Sequence, residues 1–482
     1  MIKKLYEILS ALNYNSERGE FLEDVLLKFL VEKNPQLDIV SEVRALGDKK
    51  MASIKKSNDA IQKGEYSKSE YLKTEWFTQE TMLLSNLSQR FVPDYVLRKF
   101  TSYADEFKKR YTFDFNLLWL FAFKFSEYIE FKKMSTGFND EIYMFKDKQE
   151  YADLGFVEVP HSIYTEQWKN VITVNKKELQ RIFFGVLSSG DLEKVLEILS
   201  IGFDNLPNDP KKVHFSLTPF LQTEDDIILM TPSYLCRSLP LIYELLFKKC
   251  KSYLNSKGNT FEKIVQSAFK NTPTQMLCFN VKYGEKNEFE ADAVIAFKQS
   301  LWIIEASSHL PSMESLKGDL FHVRCDLNKT VKKCLIQGTR AVTKLNTMSL
   351  PVPYKDLNCK GIIIVVDGVY PNLNIEPLIE FSLSGNIPTY VINYFDLMTL
   401  LDQPECENFE DFLLWRTQKP MPVICFDEKD YWNYYFDRYK VLRDQRDAFK
   451  ILQEKQSNLY YIGYRFNRKD YLGRMPREKP DK

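Results

Sequence analysis

Three carboxylates, Glu290, Asp292 and Glu305, stand in the stretch EFEADAVIAFKQSLWIIEASSH (Glu288–His309), whose other residues are mostly apolar. A buried carboxylate is costly unless a cation, a proton or hydrogen-bond donors compensate it. Side chains alternate faces along a strand. With a turn centred on Gln299–Ser300, the antiparallel register pairs Val294 with Glu305 and Asp292 with Ser307. Asp292, Val294 and Ala296 then share a face with Leu301, Ile303, Glu305 and Ser307. Both faces of this hairpin are apolar, which predicts central, buried strands. Two acids at one end of one face repel unless they share a proton or hold a cation. A hard cation such as Mg²⁺ or Mn²⁺ takes oxygen ligands, and the carbonyl of Ala306 offers a third. The alternative for each acid is an ion pair with a lysine or arginine of a neighbouring helix.

The elements that must position these acids follow from the flanking pattern. YLNSKGNTFEKIVQSAF (Tyr253–Phe269) predicts a chain break at Gly258, a cap at Asn259 or Thr260, and then a helix carrying Glu262. QMLCFNVKYG reads as a strand ahead of the hairpin. LKGDLFHVRCDLNKTVKKCLIQGTRAVTKL reads as one long helix holding Gln337. CKGIIIVVDGV has the near-continuous β-branched run of a sheet centre, and IPTYVINYFDLMTLL a strand leading into a helix. The order predicts an α/β fold, a three-layer core with a mixed central sheet over residues 251–420.

This ordered set resembles the PD-(D/E)XK nuclease superfamily, whose fold is restriction-endonuclease-like. Glu262 of GNTFEKIV matches the family's helix glutamate, Asp292 of EADAVIAF its central acid, and Glu305 of WIIEASS the acid of Glu-x-Lys. The similarity covers about a third of the chain. It implies a metal-dependent endonuclease in which Asp292, Glu305 and the Ala306 carbonyl hold Mg²⁺ or Mn²⁺. Glu262 would orient a water or a second metal. DNA is the implied polymer. The chain departs from the pattern at the lysine, where Ser307 stands, followed by Ser308. A hydroxyl supplies no cation. Some family members carry the lysine on the next helix, so Lys317, Lys329, Lys332 and Lys333 are the candidates to replace it, with Lys317 the choice. His309 and His322 are further candidates for a base or ligand. The alternative is a nuclease-like domain without catalysis that binds nucleic acid or protein as a sensor or scaffold.

The rest of the chain bounds the setting. Its 482 residues include 44% hydrophobic and 14% aromatic side chains, ample for two or three cores. Sixty-six basic residues balance 66 acidic ones, so any nucleic-acid surface must arise from local segregation of charge. The eight cysteines show no metal-ligand spacing and fit a reducing cytoplasm. The most apolar stretch, FNLLWLFAFKF, is about half the ~20 residues of a membrane span. Residues 1–250 read as a mainly helical domain without a chemical motif, suited to recognising a protein partner or phage component. Residues 421–482 read as a basic, aromatic tail, with 13 basic and 6 acidic residues from Arg438 onward. Its aromatic face is expected to dock on the core. A helical half followed by this core resembles bacterial nuclease-like proteins of antiviral defence islands. The oligomeric state is left open.

Overall fold

The structure is a computed structural model. It describes residues 1–14, 20–46, 91–138, 162–204, 217–230, 239–270, 276–283, 289–316, 320–347, 356–368, 387–403, 405–418 and 428–436, with the single residues 48, 235 and 370. The chain is mixed α/β and divides into two compact units, the first of Met1–Ile54 with Val92–Leu254 and the second of Lys55–Phe91 with Asn255–Lys482. Among the described residues no helix is long and apolar enough to cross a membrane.

The first unit contains helices α1 (Ile2–Tyr14), α2 (Glu20–Glu32), α3 (Val92–Phe100), α4 (Ala104–Tyr111), α5 (Asn116–Ser135), α6 (Ser162–Ile172), α7 (Lys176–Ile182), α8 (Ser189–Leu199) and α9 (Leu239–Phe247). Leu5, Ile8, Leu9 and Leu12 repeat at helical spacing and are buried where α1 meets α2 and α6. Asn175 and Ser188 cap α7 and α8 by accepting the N–H of Lys177 and of Asp191. A small mixed sheet, which the sequence pattern does not predict, joins β1 (Thr173–Asn175), β4 (Asp226–Leu229), β3 (Phe220–Gln222) and β2 (Ser200–Gly202) in that order. Strands of three or four residues are too short to show an alternating pattern. The core also holds a buried ion pair, Lys99 with Glu244, to which the Tyr253 hydroxyl donates at 2.5 Å.

Helix α10 (Lys251–Lys270) leads into the second unit and runs unbroken through Gly258. The expected break there does not occur. The helix starts earlier because Glu106 accepts the N–H of Lys251 at 2.7 Å and of Ser252 at 3.1 Å, a cap supplied from a distant part of the chain. The second sheet has the order β5 (Met276–Tyr283), β6 (Phe289–Ala296), β7 (Ser300–Ser307), β8 (Asn358–Val366) and β9 (Thr389–Asn393). The β5–β6 and β6–β7 pairs are antiparallel, and β7–β8 and β8–β9 are parallel. The hairpin register differs by two residues from the expected one. Val294 pairs with Ile303, not Glu305, because the turn falls on Lys298–Gln299 and Phe297 N–H bonds the Ser300 carbonyl. Glu410 accepts the N–H of Gln299 at 3.4 Å and also binds the Ser300 hydroxyl, which fixes this turn from outside the hairpin. A shift of two leaves the faces unchanged.

Helices α11 (Met313–Leu316), α12 (Leu320–Leu327) and α13 (Lys333–Leu345) precede β8, and α14 (Tyr394–Leu401), α15 (Phe409–Gln418) and α16 (Glu428–Tyr435) follow β9. The expected single long helix is two, joined by a π-helical turn over Asn328–Lys332. α13 lies on the face of Asp292 and Glu305, so close that a Cβ on Gly338 would stand 2.8 Å from Ile362. α15 covers the opposite face, where Phe412 meets Tyr390 at 6.2 Å between ring centres. Ile362 to Val366 are each fully buried between these layers. At ~1.5–3 kcal/mol per buried aliphatic side chain, they outweigh the ~1–2 kcal/mol per residue of backbone ordering. α16 buries Tyr431 and Trp432, and its Glu428 pairs with Arg416 at 3.0 Å. Residues 437–482 lie outside the described residues.

Candidate active site

Glu305 lies near the end of β7 and is 2% exposed, and its Oε1 has no hydrogen-bond partner. Burial pushes its pKa up to about 9, helped by the negative charges of Asp292 and Glu262 and opposed by Lys333. Asp292 of β6 is half-buried. The ladder between β6 and β7 ends at Ala293–Ile304, and past that point the Asp292 Oδ2 accepts the Ala306 N–H at 2.7 Å. The strands part here because a side chain takes the donor that the ladder would have used. Burial raises the Asp292 pKa, the Ala306 hydrogen bond lowers it, and Glu290 and Lys333 act in opposite senses. In an extended strand the N–H and C=O of one residue point the same way, so the Ala306 carbonyl faces the side of Asp292.

Glu262 comes from α10. Burial pushes its carboxyl up to about 7, with Asp292 and then Glu290 adding to the rise. One turn along α10, Gln266 Nε2 donates to the Asp292 carbonyl at 2.7 Å. This contact pins the helix glutamate to the strand of the central acid. Gln266 is not among the residues singled out from the sequence. Its signal there is the i,i+4 spacing from Glu262, which puts both on one helical face. Glu290 is exposed, and its charge acts on Glu262 and Asp292.

Ser307, which stands where the resemblance would place a lysine, is 7% exposed, and its hydroxyl acts against the rise of the Cys334 thiol of α13. That thiol is pushed far up by burial and by the charges of Glu305 and Asp292. The neighbouring Lys333 is the lysine whose positive charge acts on Glu262, Asp292 and Glu305 alike. Lys317, the choice from sequence, lies outside the described residues. Lys329 and Lys332 are exposed on the π-helical turn, and Gln337 lies one turn beyond Lys333.

The two histidines part company. His309 Nε2 meets Asp326 Oδ1 at 2.9 Å. Asp326 also accepts the Ser312 N–H at 2.7 Å and the hydroxyls of Ser312 and Ser315. Burial alone would raise this carboxyl, but these hydrogen bonds prevail and hold it well below the usual range. The cluster ties the segment after β7 to α12. His322 packs edge-on against Phe321 on α12.

Among the described residues no group of three His, Cys, Asp or Glu side chains closes to metal-holding geometry. The donors that share one end of one face are Asp292, Glu305 and the Ala306 carbonyl. No protein-family model, curated protein or solved structure matches the chain.

Proposed function

We propose that the second unit is a restriction-endonuclease-like, three-layer α/β domain whose carboxylates serve metal-dependent hydrolysis of phosphodiester bonds in nucleic acid. The polymer is DNA on the ground of the family resemblance. The observation that carries the reading is Glu305, a buried acid with an unpartnered oxygen, on which the charges of two further acids act. A structural ion pair would have matched that oxygen with a donor. A hard cation would match it instead, which fits Mg²⁺ or Mn²⁺ held by Asp292, Glu305 and the Ala306 carbonyl. Such an ion supplies Lewis acidity to a phosphoryl oxygen and lowers the pKa of water.

The protein's own groups divide the remaining work. Asp292, fixed by the Ala306 N–H, presents its other oxygen in a constant direction. Glu262, held half-protonated near neutral pH, accepts a hydrogen bond or proton from the attacking water. The Lys333 ammonium replaces the lysine absent at Ser307 and steadies charge developing on the phosphate. The first unit would recognise a protein partner or phage component, in a cytoplasmic antiviral role. The free thiols of Cys250, Cys325, Cys334, Cys359 and Cys406 fit that reducing compartment.

One observation favours a second reading. Ser307 is buried against Cys334 and brings no cation, which suits a nuclease-like domain that binds without cutting. Cleavage of plasmid, linear and single-stranded DNA, and of RNA, separates the two. It is run with Mg²⁺, Mn²⁺ or EDTA beside Glu305→Gln. The proposal expects metal-dependent cutting that the variant lacks. No cutting in any metal, together with no Mn²⁺ binding by calorimetry, would leave the binding module.

A further inference from the structure

The helical stretch from Leu320 to Leu345 holds six basic side chains, Arg324, Lys329, Lys332, Lys333, Arg340 and Lys344, in a chain of net charge zero. All six are exposed. The one acid of the stretch, Asp326, is 4% exposed and occupied by His309, Ser312 and Ser315. No ion pair among the described residues engages Lys329, Lys332, Arg340 or Lys344. The basic positions recur along the exposed surface of the two helices. From Arg324 to Lys344 the row spans about 30 Å at ~1.5 Å per residue. Lys333 is the member whose charge acts on the carboxylates. At its start stands Phe321, 68% exposed, a ring that buries little against its own protein.

We propose that this face is the track of a single nucleic-acid strand. Lys329, Lys332, Arg340 and Lys344 contact backbone phosphates, and Phe321 stacks on an unpaired base. The direction of the track, towards the acids, rests on the nuclease reading, whereas the binding itself rests on charge and exposure. The chemistry is that of strand-tracking surfaces in general. Clustered cations without intervening acids attract a polyanion, and an aromatic face stacks any base. A duplex would offer the phosphates but no free base, so Phe321 selects the unpaired form.

The test uses the full chain in EDTA with a fluorescently labelled oligothymidylate of about 20 nucleotides and a hairpin duplex of matched length. Lys329→Ala and Arg340→Ala are each expected to reduce the slope of log affinity against log salt by about 0.7 on the single strand. Phe321→Ala is expected to weaken single-strand binding by about 5-fold or more at unchanged slope, and to leave the duplex unaffected. Phe321→Trp should retain the affinity. Thermal melting of each variant checks that the exposed substitutions leave the fold intact. Unchanged slopes, or a Phe321→Ala effect that is nil or equal on strand and duplex, would overturn the track. The nuclease reading fails separately. Strand binding in EDTA without cutting in any metal would sink that reading and leave the track standing, and Mn²⁺-dependent cutting with unchanged slopes would do the reverse.

Discussion

Glu305 sets the energetics of the site. Its carboxyl rises from 4.5 to about 9 in the native state. Between those values the native protein keeps a proton that the unfolded chain has lost. Stability is therefore fully present below the unfolded value and falls as pH rises through the native one. Each pH unit between the two values is worth about 1.4 kcal/mol, so the loss accumulates to several kcal/mol. Glu305→Gln cannot titrate. In EDTA its melting temperature should match the wild type near about pH 5 and exceed it by several degrees near about pH 8.5. A constant gap across that range would mean that Glu305 is not a buried acid. Asp292→Ala is a less clean probe, because it relieves repulsion but strands the Ala306 N–H that Asp292 accepts. Lys333→Ala is predicted to lower the cleavage rate by about 100-fold, with Lys333→Arg partly restoring it. Equal rates would leave Lys317, Lys329 or Lys332 as the substitute cation. Asp292 and Glu305 were legible as neighbours in the sequence because residue type and strand parity suffice to put the two on one face. Lys333 was not. Four lysines fitted the spacing, and sequence alone does not show whose charge reaches the acids.

At the scale of elements, the π-helical turn explains how one helix serves two neighbours. Val323, Leu327, Val331 and Leu335 are all buried, at a strict interval of four. A regular helix would drift by about 120° over those twelve residues. The extra residue of the wide turn takes up about 100° of it. The sequence carried this four-residue interval, but a single-period reading made one long helix of it. The hairpin register was missed for a related reason. Its turn is fixed by Glu410, which is distant in sequence and invisible to local pattern. Close packing gives a test at this scale. A Cβ on Gly361 would stand 2.5 Å from the Trp302 ring and 2.6 Å from the Pro388 carbonyl oxygen. Gly361→Ala should therefore cost about 3 kcal/mol or more by urea denaturation. Gly338→Ala should cost less, since the Ile362 side chain it meets at 2.8 Å can turn aside. The reverse ranking would mean that the α13 contact, not the Trp302–Gly361 contact, fixes the sheet.

Across the molecule, each unit has a buried ion pair of its own, Lys99 with Glu244 in the first and Arg416 with Glu428 in the second. Both pairs are almost fully excluded from solvent. Removing one partner leaves the other charged and unmatched, so Lys99→Ala and Arg416→Ala are each expected to cost about 3–5 kcal/mol in denaturant titrations. Replacing both members of the first pair, Lys99→Met with Glu244→Leu, should recover most of the loss. A single variant that costs under about 1 kcal/mol would show that water reaches the pair. The α/β order of the second unit was legible because its strands are long and β-branched. The small sheet of the first was hidden in strands of three and four residues.

The unmatched oxygen of Glu305 has one more consequence. A site that keeps its protons while empty must give them up to whatever cation it takes. Under the proposed reading the second unit is an ion exchanger, and the uptake of Mn²⁺ acidifies the surrounding solution. The heat of that uptake would then differ between buffers by their own ionisation enthalpy, multiplied by the protons released. At a fixed cation concentration, a fall in pH alone would empty the site.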